Sequence, residues 1–208
     1  MAEPKLTTVW TPGRRKLGKD HVFSPWVKRI GTIRLPVSEV TPFCYLVRAI
    51  CYQQLAGKAA LTIHGRVVEA LKGDVSPRKA LRVREATLRA AGLSRSKYAA
   101  IRDLATKIRS GEVDVHDLDE RPDDEIIERL VTVRGIGLWT AQMYLMFRLH
   151  RPDVWPVGDL GVRAGYAKVH ALDEYPTAKQ LEPLGDIYSP WRSAAAWYCY
   201  RVLDAESP

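Results

Sequence analysis

Two glycines, Gly135 and Gly137, flank a single apolar residue, Ile136, and helical periodicity stands on both sides of them from Leu130 to Gln142. Glycine reaches backbone angles that side chains obstruct. The spacing therefore predicts a helix ending near Thr132, a tight turn through Gly135–Gly137, and a second helix starting at once. Ile136 points inward in such a turn and pins the two helices together. The glycines also bare the amides that open the second helix, and with the helix dipole behind them those amides can seat a phosphate. An ordinary αα-corner uses the same Gly-x-Gly, so the turn alone leaves both roles open. Either way, this part of the chain must pack helix on helix.

The remaining punctuation is also helical. Thr41-Pro42 sets a capping hydroxyl before a proline at the first helical position, after which Phe43, Leu46, Val47, Ile50 and Cys51 hold one face. Ser76-Pro77 repeats the device. Ser94 opens a segment in which Tyr98, Ile101, Leu104, Ala105 and Ile108 fall at helical spacing, closed by Gly111. Pro122 and three acids open another, with Ile126, Ile127, Leu130 and Val131 as its buried stripe. Leu138–Leu149, Leu160–His170 and Trp191–Leu203 complete the set. Alternating strand patterns of useful length are absent. The expectation is an all-α chain of roughly ten short helices with brief connections. Residues 1–19 read as a basic, poorly ordered arm, and 20–208 as the folded core.

Of the 208 residues 46% are hydrophobic, which excludes a chain that is disordered throughout. No apolar run approaches the ~20 residues that span a bilayer, and the N-terminus has no apolar signal-peptide segment. Cys44, Cys51 and Cys199 cannot all pair and lack zinc-ligand spacing, which suits a reducing intracellular compartment. A net charge of +8 suits a polyanionic partner. Its distribution is uneven: Lys72–Arg109 holds eleven basic residues against Asp74, Glu85 and Asp103, and Glu112–Glu128 holds nine acidic ones against Arg121. These blocks cancel, and each also reads as a solvated helix face. The excess lies in the arm from Gly13 to Lys19 and at scattered positions such as Lys58, Arg134 and Arg163.

Four stretches in order carry a resemblance: Arg48–Ala60 with its Gln53-Gln54-Leu55, the Leu130–Gln142 hairpin, Val157–Arg163 with Asp159, and Pro190–Tyr198. From about Pro25 to its end the chain resembles the helix-hairpin-helix (HhH-GPD) DNA glycosylases, and within them the 3-methyladenine DNA glycosylase II branch. That resemblance implies a two-lobed helical fold with the active site in the cleft between lobes. The central lobe would run over about 55–157; the N-terminal helices and about 158–208 would form the second. The chain has no room for the N-terminal β-domain of the larger bacterial enzyme.

The resemblance makes Asp159 the catalytic carboxylate. Its setting agrees, since Gly158 and Gly161 keep side chains away and Leu160 begins a helix, whose N-terminus keeps a carboxylate ionised. A helix cap is the plainer role for the same residue. Trp139 stands where bifunctional members place a Schiff-base lysine, so the activity implied is monofunctional. Iron–sulfur members need four cysteines near the C-terminus, where this chain has only Cys199. Trp139 and Tyr200 match the aromatic lining of the base pocket, with Trp197 nearby; each is equally a core aromatic by its spacing. Gln54 or Leu55 is the wedge that fills the gap left by a flipped nucleotide. Gly135, Gly137, Arg134 and Lys58 are the expected contacts to the DNA backbone. Main-chain carbonyls of Val131, Val133 and Ile136 match positions that hold Na+ or K+ in related hairpins. Arg134 departs from the family pattern, which usually has proline there.

The implied function is excision of N-alkylated purines (3-methyladenine, 7-methylguanine) from double-stranded DNA, leaving an abasic site in base excision repair. No cofactor is required, no membrane is involved, and a monomer is expected, cytoplasmic with the nucleoid in a bacterium or nuclear in a eukaryote. Two other readings share the fold: a glycosylase for deaminated, etheno or mismatched bases, and a lesion-binding protein without turnover.

Overall fold

Proline and hydroxyl caps do much of the work of starting helices in this chain. Thr41, Ser76 and Ser94 each accept a hydrogen bond from the amide three residues on and open α3 (Pro42–Tyr52), α5 (Pro77–Arg82) and α7 (Arg95–Ser110). Gly111, with φ of 80°, closes α7 in the left-handed conformation that favours glycine. The computed structural model describes residues 5–55, 57–115 and 118–205. Among these lie twelve α-helices and one two-stranded antiparallel sheet. The sheet pairs β1 (Leu6–Thr7) with β2 (Leu35–Pro36), Leu6 opposite Pro36. The other helices are α1 (Thr11–Leu17), α2 (Ser24–Ile30), α4 (Gly57–Ala70), α6 (Glu85–Ala90), α8 (Asp123–Val131), α9 (Leu138–Phe147), α10 (Leu160–Val169), α11 (Ala178–Leu184) and α12 (Arg192–Leu203). No helix among the described residues is long and apolar enough to cross a membrane.

The chain forms two units, 1–38 with 142–208, and 39–141. The central unit thus begins and ends earlier than the expected 55–157. The physical reason is local packing. At one boundary α3 packs on α4 and α7 and so belongs to the central unit. At the other, the stretch after α9 is tied to the N-terminal residues: His150 O accepts from Trp10 Nε1 at 2.8 Å, and Arg148 donates to Ser38 O at 2.9 Å.

Residues 5–19 are the second correction, because they are ordered structure rather than a loose arm; residues 1–4 lie outside the described residues. Trp10, Gly13 and Leu17 recur on one helical face, and all three are buried. A β-carbon on Gly13 would lie 2.7 Å from Ala194 Cβ and 2.9 Å from Trp191 Cβ, so the glycine lets α1 press on the start of α12. Two of the arm's cations are engaged by carbonyls, Lys16 with Ser189 and Arg14 with Gly31. In the same unit α10 and α12 make the tightest approach. A β-carbon on Gly165 would overlap the Cys199 carbonyl, so only glycine fits. The central unit is built on Leu46, Ile50, Val67, Leu71, Leu104 and Leu130, all fully buried.

Candidate active site and nucleic-acid interface

Asp159 is presented by a short anchored turn. Trp155, 7% exposed, donates its indole N–H to Leu181 O at 3.0 Å and packs edge-on against Tyr166. From that anchor the chain folds back twice: Val157 N donates to Trp155 O, and Asp159 N to Pro156 O, each at 2.9 Å. Asp159 then caps α10, its Oδ1 accepting from Val162 N at 3.0 Å. At 8% exposure it is one of few polar residues buried among the described ones.

Tyr200, from α12, lies beside this carboxylate. A β-carbon on Gly161 would sit 3.0 Å from the Tyr200 ring and 3.1 Å from Asp159 Oδ1, so the bare first turn of α10 is where the two meet. Burial first, then the Asp159 carboxylate to which it hydrogen-bonds, push the Tyr200 phenol far above its ordinary value. It stays a neutral donor. Its hydroxyl also reaches Met143 Sδ at 3.7 Å, and its ring stands 6.2 Å from that of Phe147. Met143 and Phe147, one turn apart on α9, are neighbours that sequence reasoning did not name. Trp197, half-buried on the same helix, meets Tyr198 edge-on at 5.1 Å, with the Arg201 guanidinium 5.7 Å over its ring.

The central unit carries the hairpin. α8 ends at Val131, Val133 N donates to Leu130 O, and Ile136 N to Val133 O. Gly135 has φ of 77°, and Ile136 is 3% exposed, so it pins the turn as expected. Gly135 and Gly137 are exposed, and no atom lies within 4 Å of where a Gly137 β-carbon would be. Trp139, the second residue of α9, is 43% exposed. Arg134 is exposed, and its backbone N–H, which a proline would lack, donates to Asp103 Oδ2 at 2.7 Å.

A second loop joins α3 to α4. Gln54 adopts φ of 55°, and both Gln54 and Leu55 are exposed. The preceding Gln53 ties this loop to the hairpin, its Nε2 donating to Gly135 O at 2.9 Å and Thr140 Oγ1 at 3.1 Å. Lys58 is exposed on the first turn of α4. The structure thus brings together Asp159 with Tyr200, and Gln53–Leu55 with Arg134–Gly137. Gln53 is the joint that spacing alone did not reveal, because its partners lie more than eighty positions away.

Comparison with known proteins agrees with these features. The profile of the HhH-GPD superfamily base excision DNA repair proteins matches residues 47–189, and the chain belongs to that superfamily. Its similarity to individual members extends over nearly all of its length. It is 34% identical to DNA-3-methyladenine glycosylase 1 of Schizosaccharomyces pombe over 89% of this chain and 83% of that protein. The solved structure of the Schizosaccharomyces pombe 3-methyladenine DNA glycosylase in complex with abasic DNA superposes with a TM-score of 0.87 at 31% identity, covering 95% of this chain and 99% of the other. A DNA-3-methyladenine glycosidase from Bacillus halodurans gives 0.83 at 32%, covering 95% and 92%.

Proposed function

We propose that the protein is a monofunctional DNA glycosylase that flips N-alkylated purines of the 3-methyladenine and 7-methylguanine type from duplex DNA and hydrolyses their glycosidic bond. The reading rests on one observation above all: a carboxylate, Asp159, buried and fixed at a helix N-terminus with a tyrosine against it. The names of relatives about one-third identical support the substrate class.

An alkylated purine carries positive charge in its ring. When the bond from the purine nitrogen to the sugar carbon breaks, its electron pair neutralises the base, and the sugar takes up oxocarbenium character. The fixed anion of Asp159 stabilises that charge and orients a water. The water oxygen bonds to the sugar carbon and its proton passes to the carboxylate or to solvent. Tyr200 supplies an aromatic face beside Asp159 for the extruded cationic base, and the family resemblance alone assigns the exposed Trp139 the same role. Gln54 and Leu55 fill the gap in the duplex. Gly135, Gly137, Arg134 and Lys58 contact phosphates without reading sequence.

Trp139 leaves no amine at the hairpin helix for Schiff-base chemistry, so the product is an unbroken strand with an abasic site. The protein works as a monomer without an iron–sulfur cluster. The carbonyls of Val131, Val133 and Ile136 would hold Na+ or K+. Among the described residues no backbone amide donates to the Val131 carbonyl, and the Val133 carbonyl accepts from Ile136 with a lone pair to spare. Such an ion adds positive charge beside a phosphate; equal duplex affinity in choline and potassium salts at matched ionic strength would exclude it.

Asp159→Asn tests the reading, because the amide oxygen can still cap α10 and only the charge is lost. Single-turnover release of 7-methylguanine should fall by at least ~100-fold, matching the ~3–4 kcal/mol that one such contact contributes. Affinity for abasic duplex should be retained. Excision within a few fold of the unaltered enzyme removes Asp159 from the chemistry, and an adduct trapped by borohydride would refute the monofunctional assignment.

A further inference from the structure

Lys97, Ala100 and Asp103 stand three residues apart and so line one side of α7. That side meets both loops proposed to touch DNA. Lys97 Nζ donates to Cys51 O at 2.9 Å and to Gln53 O at 2.8 Å. These carbonyls end α3, where unpaired acceptors and the negative end of the helix dipole favour a cation. One turn further along, Ala100 is 2% exposed, and a β-carbon on Gly135 would come within 3.0 Å of its methyl. Another turn on, Asp103 accepts the Arg134 amide at 2.7 Å, a charge-assisted bond. The two loops are joined directly by Gln53, whose side chain reaches Gly135 and Thr140 while its own carbonyl is held by Lys97.

We infer that α7 is a register brace, with Lys97, Asp103 and Gln53 as positioning residues that fix the spacing between the wedge at Gln54–Leu55 and the phosphate seat at Gly135–Gly137. The role assigned to those loops rests on the function proposed above. Both loops hang on one helix, so the strand gripped by the hairpin and the gap entered by the wedge stay in a fixed relation. A wedge displaced by an ångström fills the gap poorly, and misplacement on that scale can cost ~100-fold in rate. Lys97 and Asp103 belong to the basic stretch Lys72–Arg109, whose bland reading is a solvated face. These two instead hold backbone.

Hydrogen exchange on the full-length, DNA-free protein tests the brace without reference to activity. Lys97→Met should speed exchange at least fivefold both at 50–55 and at 133–140, and Lys97→Arg should restore most of the protection. Wild-type exchange at 133–140 in Lys97→Met would overturn the proposal. Should Lys97→Met fail to fold, Gln53→Ala cuts the side-chain tie to Gly135 and Thr140, leaves the Lys97 bonds to the end of α3, and should free 133–140 while α3 stays protected; unchanged exchange there counts equally against it. Single-turnover excision of 7-methylguanine gives the second readout. Lys97→Met should lose about tenfold in rate with undamaged-duplex affinity within twofold, and should lose less than twofold when Gln54 and Leu55 are already alanine. A full tenfold loss in that background would mean Lys97 acts elsewhere, which overturns the brace. Failure of the unaltered protein to release any alkylated purine would defeat the proposed function, while the exchange result would still decide the brace.

Discussion

Under the proposed function Asp159 unites the two roles that its spacing left open, because capping α10 is what holds its carboxylate still. An oxygen already bonded to the Val162 amide cannot swing away as charge develops on a sugar, which is the meaning of a preorganised electrostatic contact. Tyr200 completes the arrangement. Its phenol is kept neutral by burial and by the adjacent carboxylate, so it orients Asp159 as a donor without adding negative charge. Gly161 makes the approach possible, since a methyl there would sit 3.0–3.1 Å from the Tyr200 ring and Asp159 Oδ1. Gly161→Ala should therefore act mainly on catalysis. Overpacking of this kind costs about 1–2 kcal/mol of stability, a fall in melting temperature of roughly 2–8 °C. Excision of 7-methylguanine should drop about tenfold, because ring and carboxylate must both shift. If the variant melts lower but excises at the unaltered rate, the contact between Tyr200 and Asp159 has no part in turnover.

At the scale of elements, legibility followed locality. Thr41, Ser76, Ser94 and Gly111 cap the helices they were expected to cap, because a cap needs only the neighbouring three or four residues. The same logic could have found α1, whose Thr11-Pro12 start and Trp10/Gly13/Leu17 stripe are hidden by the basic residues between them. It could also have found α11, opened by a capping box of Thr177 and Gln180. The register of α7 against two distant loops was not legible, since it depends on tertiary placement of Lys97, Gln53 and Asp103. The same holds for Asp153, just after α9, which accepts two 2.8 Å bonds from Arg192 at the start of α12. Burial raises this carboxyl, but bonds from Arg192 and Ser189 outweigh it, and the net value lies below the ordinary one. A carboxyl depressed on folding contributes stability above its unfolded value of ~3.9 and loses it as pH falls through the folded value. Asp153→Asn should therefore be less stable than the unaltered protein by about 1–2 kcal/mol at pH 7, with the gap closing below roughly pH 4. Parallel melting curves from pH 7 to 3 would show that the pair contributes nothing through its charge.

For the molecule as a whole, the question is which bases it releases, and the placement of its acids bears on that. A neutral purine must depart as an anion unless something protonates it, whereas an N-alkylated purine departs uncharged. Imidazoles are the obvious acids at neutral pH. His170 is stacked on Tyr166 with its Nε2 3.1 Å from the Tyr188 hydroxyl, and His150 Nε2 lies 3.2 Å from Pro36 O. Burial first of all pushes both below the ordinary histidine value, as it does for His64 in the central unit, so all three are largely neutral at pH 7. His21 is exposed, and His116 lies outside the described residues. The phenol nearest Asp159, Tyr200, is a weaker acid than ordinary tyrosine. What stands beside Asp159 is the Tyr200 ring, and a cation over a desolvated ring gains up to ~2 kcal/mol, a preference of about thirtyfold. The enzyme should therefore release 7-methylguanine at least tenfold faster than hypoxanthine or ethenoadenine from matched duplexes under single-turnover conditions at pH 7. The ratio should narrow toward acid, where solvent protonates the neutral purines. A faster rate on either neutral lesion at pH 7 would require a proton donor that none of these side chains supplies, and the alkylpurine reading would give way to a broader lesion spectrum.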